Sequence, residues 1–117
     1  MLLHTYFPAT VLGNVSADSK IISEEVFGPV AAVVKVKDEE EALKISNKSE
    51  YGLAGYIYTK DLARGWKVSE ALQVGMIGLN RGLVSDPSAP FGGVKQSGLG
   101  REGGYDDKWT KSFMGQF

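Results

Sequence analysis

Three apolar runs, at residues 30–36, 54–59 and 76–80, alternate with two amphipathic stretches that open on helix-capping residues. Strand–helix–strand–helix–strand order implies right-handed crossovers and a largely parallel, covered sheet. The expectation is an α/β fold carrying part of a parallel sheet in βαβαβ order. Val30-Ala31-Ala32-Val33-Val34-Lys35-Val36 is apolar at nearly every position, as in strands buried on both faces. Asp38 is placed to N-cap the first helix, and Glu41 completes a capping box three residues on. That helix is expected to end near 47–49. Tyr51-Gly52-Leu53 reads as a turn into the second strand. Asp61 caps a second helix with Leu62, Trp66, Ala71 and Leu72 on or near one face, and Gly75 is the expected C′ stop. Upstream, residues 1–20 read as loop with one short strand at 9–12.

Residues 81–104 show neither period, and seven of the 15 glycines fall between Gly82 and Gly104. An aperiodic stretch of about 20 residues inside a compact domain is uncommon and usually functional or disordered. Here Leu83, Val84, Phe91, Val94 and Leu99 interrupt the glycines, which predicts an ordered loop at the carboxyl end of the third strand. Ligands gather at that end of open α/β sheets. The tail, Trp109-Thr110-Lys111-Ser112-Phe113-Met114-Gly115, reads as one more short strand.

Thirteen basic residues face fourteen acidic ones, for a net charge of −1. That balance leaves no electrostatic footprint for nucleic acid or an anionic membrane. No apolar run approaches the ~18 residues of a membrane span. The first residues lack a basic n-region and a small-residue cleavage site, so a cytoplasmic location is expected. Cysteine is absent and His4 is the one histidine. The chain therefore holds no disulfide, zinc–thiolate site or cysteine nucleophile of its own, and no metal site is expected.

Gly98-Leu99-Gly100-Arg101-Glu102-Gly103 matches G-x-G-x-x-G. A dinucleotide fingerprint needs a preceding strand, a following helix and an acidic residue ~20 positions on. The chain stops at Phe117, so tight turns in a packed loop are the plainer reading. Glu24-Glu25 precede Phe27. A carboxylate can accept from two vicinal hydroxyls, and a phenyl ring offers a flat face, although an exposed acidic pair is the default. Ser85 is either a donor to a ligand carboxylate or a turn-stabilising hydroxyl. Phe91 is either a packing anchor or a ligand contact.

Four motifs occur in a familiar order. They are Glu24-Glu25-Val26-Phe27-Gly28-Pro29, then Tyr51-Gly52-Leu53-Ala54-Gly55, then Gly78-Leu79-Asn80, then the run from Pro90-Phe91-Gly92-Gly93-Val94-Lys95-Gln96-Ser97 through Gly98 to Gly103. The series resembles the C-terminal quarter of the aldehyde dehydrogenase superfamily, from about Tyr6 to Gly104. The loop Asn80-Arg81-Gly82-Leu83-Val84-Ser85-Asp86 resembles that of its succinate-semialdehyde dehydrogenases. The resemblance implies that residues 1–104 are the C-terminal part of the catalytic domain. Residues 105–117 are then a shortened tail in the place of an oligomerisation strand.

It further implies that Glu25 holds the nicotinamide-ribose hydroxyls of NAD or NADP and that Phe27 packs against the nicotinamide end. Phe91 would line the substrate tunnel, and Ser85 would hydrogen-bond the carboxylate of succinate semialdehyde. In the family mechanism a cysteine thiolate attacks the aldehyde, hydride passes to the cofactor, and a glutamate base assists thioester hydrolysis. The thiolate, the base, the carboxylate-binding arginines and the dinucleotide-binding half have no counterpart here. The chain reads as a dehydrogenase segment that is inactive alone, partnered by the missing half or a further copy of itself. An orphan segment acting as an assembly or binding module is the alternative, and an autonomous dinucleotide binder using Gly98–Gly103 is the third.

Overall fold

The computed structural model describes residues 6–103 and 111–116. His4, residues 105–110 of the tail and Phe117 lie outside the described residues. The chain divides into two compact units, Met1–Ile45 and Ser46–Phe117.

In the first unit β1 (Thr10–Leu12) pairs in parallel with β2 (Val30–Ala32), Thr10 opposite Val30. The one-turn helix α1 (Lys20–Ser23) separates them in sequence. It escaped sequence reading because four residues carry no period, and Ser19 at its N-cap makes no side-chain bond. The apolar run 30–36 yields a shorter strand than expected. Val33 donates to Leu12 O at 2.8 Å and accepts from Val15 N–H at 3.0 Å, and among the described residues the ladder ends there. Burial on both faces is corrected too. No described residue of this unit is buried, and Val11 and Val33 are 73% and 50% exposed.

Helix α2 (Glu39–Asn47) follows, with three acidic residues in its first turn. Asp38 Oδ1 accepts from Glu41 N–H at 2.8 Å, as the cap requires. Glu41 Oε2 returns a bond to the N–H of Lys37 at 2.8 Å, one residue ahead of the usual box.

In the second unit the expected turn at 51–53 is partly strand. β3 (Tyr51–Gly52) pairs antiparallel with β6 (Val94–Lys95), Gly52 opposite Val94, far along the chain and without any intervening local signal. The main sheet has the order β4-β5-β7, all parallel, from β4 (Ala54–Ile57), β5 (Met76–Leu79) and β7 (Ser112–Gly115). Helix α3 (Leu62–Ala71) makes the crossover from β4 to β5. The α/β class with parallel pairing therefore stands. Asp61 caps α3, its Oδ1 accepting from Arg64 N–H at 3.0 Å.

Alternation along the strands puts Gly55, Ile77, Leu79 and Phe113 on one face. Helix α3 covers that face. A Cβ on Gly65 would stand 2.9 Å from Leu79 Cδ1, and the Trp66 and Phe113 rings lie 4.9 Å apart. The buried stripe of α3 is thus Gly65 and Ser69, while Leu62 and Trp66 are half exposed. The expected apolar face is corrected in part: Trp66 meets Phe113 and Leu72 lies beside Gly55, while small residues take the closest approach to the sheet. The other face carries Met76 and Met114, which form the core with Val84. Ala54, Ala89 and Phe91 pack against that core. The glycine-rich segment is therefore the second cover of the sheet.

Two cations close helix ends. Lys95 Nζ donates to the carbonyl of Asn47, the last residue of α2, and to that of Ser49 beyond it, at 2.9 and 2.8 Å. Lys111 Nζ donates to the Ser69 and Glu70 carbonyls at the end of α3 and to that of Leu72, at 2.7, 3.2 and 2.5 Å. Burial pushes the Lys111 ammonium below the usual lysine range.

Gly75 is not the C′ residue of α3, which is capped at Leu72. Its need for glycine is tertiary: a Cβ there would fall 2.1 Å from Gly92 O and 2.8 Å from Gly93 Cα. Backbone cannot yield as a side-chain end can, so Gly75→Ala is expected to lose about 1–3 kcal/mol or more. A urea titration of the 117-residue chain reads this as a lower midpoint at unchanged slope. An unchanged midpoint would contradict the close approach.

Candidate functional site

The chain leaves β5 through Asn80, whose φ of 56° lies in the left-handed region, where Asn is among the more tolerant residues. Its side chain fixes the exit. Oδ1 accepts from Thr59 N–H and Nδ2 donates to Thr59 O, both at 2.9 Å. Val84 then anchors the loop in the core at 5% exposure, and Ser85 beside it is exposed.

Asp86 orders the next turn. Its Oδ1 accepts from Ser88 Oγ at 2.7 Å and from Ser88 N–H at 3.0 Å. These bonds, the hydroxyl's first, and the Arg81 charge hold the Asp86 carboxyl below the usual carboxylate range. A depressed carboxylate stabilises the fold above its unfolded value and loses that contribution as pH falls through its folded value. The Ser88 amide resonance is thus expected to hold constant from neutral pH and to move only once acid passes below the ordinary aspartate range. Movement already complete at the ordinary value would contradict the turn.

Pro90 O accepts from the buried Ser112 Oγ at 2.5 Å, which ties the loop to β7. Phe91 and Glu102 exchange two backbone bonds, at 2.9 and 2.8 Å, and so stand as a bridged pair. Ser85, Asp86, Pro87, Ala89, Phe91, Glu102 and Gly103 line one open concavity of about 380 Å³. That is the lower part of the range for small-molecule sites. The structure thus brings Ser85 and Phe91 onto one surface: a free hydroxyl side, a phenyl wall and a rim bearing two carboxylates. Neither Asp86 nor Glu102 was singled out from sequence. Glu102 takes its place through the bridge to Phe91, eleven residues away, and no local pattern announces that.

The segment 98–103 carries no helix among the described residues. Gly98 and Gly103 have φ of 95° and 72°, the turns that glycine permits.

Glu25 and Phe27 belong to the first unit, between α1 and β2. Glu24 N–H closes α1 on Lys20 O, and its carboxylate lies 3.7 Å from Lys20 Nζ. Glu25, next to it, is exposed. Gly28 N–H donates to Val26 O at 2.9 Å, a three-residue turn centred on Phe27. That turn presents the ring outward at 94% exposure. A free carboxylate and an open aromatic face fit what a ribose diol and a flat heterocycle require. Among the described residues no group of three or more His, Asp or Glu side chains could hold a metal ion. No described helix is long and apolar enough to cross a membrane.

Comparison with known proteins gives concordant results. The model of the Aldehyde dehydrogenase family matches residues 3–114. Mitochondrial succinate-semialdehyde dehydrogenase of Oryza sativa is 56% identical over 99 residues, covering 85% of this chain and 19% of that protein. The crystal structure of succinate-semialdehyde dehydrogenase from Burkholderia pseudomallei superposes with a TM-score of 0.83 at 50% identity. It covers 90% of this chain and 22% of that one. A Mycobacterium tuberculosis aldehyde dehydrogenase, solved with NAD+, is 43% identical with a TM-score of 0.77, over 84% of this chain and 20% of that one. The chain thus spans about a fifth of the length of the relatives it matches.

Proposed function

Because the chain belongs to the aldehyde dehydrogenase family, we propose that it supplies one wall of the aldehyde site and one end of the cofactor site in a succinate-semialdehyde dehydrogenase. The observation that carries the reading is the shared concavity: Ser85 and Phe91 line it together. Phe91 packs against the Met76–Val84–Met114 core, so its ring is a firm surface for a short hydrocarbon. The Ser85 hydroxyl donates to the far carboxylate of a four-carbon semialdehyde, a charge-assisted bond. Asp86 and Glu102 repel that anion and the Arg81 charge offsets this in part; the family's carboxylate-binding arginines come from outside this segment.

Glu25 accepts both hydroxyls of the nicotinamide ribose, and Phe27 packs against the nicotinamide end. NAD or NADP, when bound, accepts the hydride. The choice between them lies with contacts to the adenosine ribose, away from these residues. The attacking thiolate comes from elsewhere, since this chain has no cysteine. Docking to the remaining dehydrogenase half, or to a further copy, completes the site. The uncovered β1–β2 ladder, with Val11 and Val33 open, supports such docking.

The test is a chimaera in which this chain replaces the matching segment of the Oryza enzyme. Glu25→Gln there is expected to raise the nucleotide KM about tenfold or more, because an amide carries one acceptor oxygen in place of two and a hydrogen bond to a charged group contributes roughly 1.5–3 kcal/mol. The aldehyde KM is expected to stay within about twofold. Unchanged nucleotide dependence with unchanged turnover would remove Glu25 from the ribose site.

A further inference from the structure

We propose that Arg101 is a positioning residue that sets where Phe91 stands in the concavity, an inference that rests on the aldehyde-site reading of residues 85–91. Phe91 and Glu102 are held by a single bridged pair, too little backbone pairing to hold two loop segments by itself. The Ser112 bond to Pro90 O and the core packing of Phe91 hold one of these segments, and the side chain of Arg101 ties the other to it. Its Nη1 donates to Gly93 O at 2.6 Å and to Gly100 O at 3.0 Å. Gly93 lies two residues after Phe91 and Gly100 two residues before Glu102. The guanidinium therefore closes, from the far side, the loop that the bridge closes at the pocket.

Gly92 makes room for it. A Cβ there would meet Arg101 Cδ at 2.7 Å, Arg101 Nη1 at 3.0 Å and Gly100 O at 2.2 Å. The arginine lies against the bare backbone of Gly92, and Gly92 and Gly93 are both buried. Arg101 does not itself line the concavity, so it acts through the pair that does. Hydrogen bonds from an ionised donor are about twice as strong as neutral ones, and the planar fork loses little freedom in making them. Arg101, within the G-x-G-x-x-G stretch, thus serves a different device, an internal clamp admitted by Gly92 upstream of that stretch.

Two arms test this. In the 117-residue chain, the Phe91 ring is expected to show nuclear Overhauser contacts to the Val84 and Met114 methyls. Arg101→Ala is expected to lose them while the Met76–Met114 contact persists; Arg101→Lys retains part. Retention of every Phe91 contact in a folded Arg101→Ala chain overturns the proposal. If Arg101→Ala does not fold, Arg101→Lys decides by the same contacts.

The second arm is a double-mutant cycle in the chimaera. Arg101→Lys is expected to raise the KM for succinate semialdehyde and for uncharged butanal alike, by about three- to tenfold with kcat within about twofold, as lost uniform binding does. The rise is expected to vanish in a Phe91→Ala background. A rise that persists at full size there overturns the proposal. A Phe91→Ala chimaera with every aldehyde KM unchanged instead sinks the aldehyde-site reading, and the resonance arm still decides on Arg101.

Discussion

The purified 117-residue polypeptide is expected to form no reduced nicotinamide from any aldehyde with NAD+ or NADP+. The reason is chemical first. An aldehyde carbonyl gives up hydride readily only after a nucleophile has added to it, and in this family that nucleophile is a thiolate. The chain has none. Its lysines can condense with aldehydes, but an imine is not the acyl-enzyme precursor that hydride transfer needs. The cofactor reading points the same way. On that proposal Glu25 and Phe27 would grip one end of a nucleotide, and one carboxylate with one ring does not offset the several kcal/mol of translational and rotational freedom lost on binding.

Self-association is the accompanying expectation. Tyr6, Val11 and Phe27 are 95%, 73% and 94% exposed in the first unit, and a two-stranded parallel ladder without cover is not a stable end state. An absorbance assay at high protein concentration reads the activity directly. Sustained turnover that Glu25→Ala abolishes, so that a contaminant is excluded, would overturn the segment reading.

Ser85→Ala carries the other large effect. In the chimaera it is expected to lower kcat/KM for succinate semialdehyde by about 1–3 kcal/mol of transition-state binding, the scale of a hydrogen bond to a charged group. Butanal, of equal length but without the carboxylate, is expected to change by less than about twofold. The selectivity follows from the loop. Val84 in the core and the Asp86–Ser88 turn hold the backbone on either side of Ser85. Removing one hydroxyl therefore leaves the wall in place and subtracts only the donor. Equal losses for both aldehydes would show that Ser85 shapes the loop and does not read the carboxylate.

Elements set by local chemistry were legible in advance. Asp38 and Asp61 announce their helices because a cap is a contact between residues three apart, and both bonds form as expected. Met76 to Asn80 reads as the third strand of a covered sheet, and β5 holds Met76–Leu79 with every residue covered. What was not legible depends on distant partners. The run 30–36 has the composition of a covered strand, but β2 ends at Ala32 because its ladder has one partner among the described residues. β3 exists only because Val94 and Lys95 come to meet it. Gly75 resembled a helix stop, yet its reason is Gly92.

The candidate site divides in the same way. Spacing and composition point only to an ordered glycine-rich loop after the third strand. Assigning roles to Ser85 and Phe91 needed the family resemblance, and only the tertiary fold brings Glu102 beside them or turns Arg101 back over Gly92.

Whether this chain serves as a working dehydrogenase segment is tested most directly by turnover of the chimaera with succinate semialdehyde and a nicotinamide cofactor. The expected result is oxidation to succinate at a rate within about tenfold of the Oryza parent, with preference over butanal retained. A chimaera that folds, assembles and binds cofactor like its parent but leaves succinate semialdehyde unoxidised would contradict it.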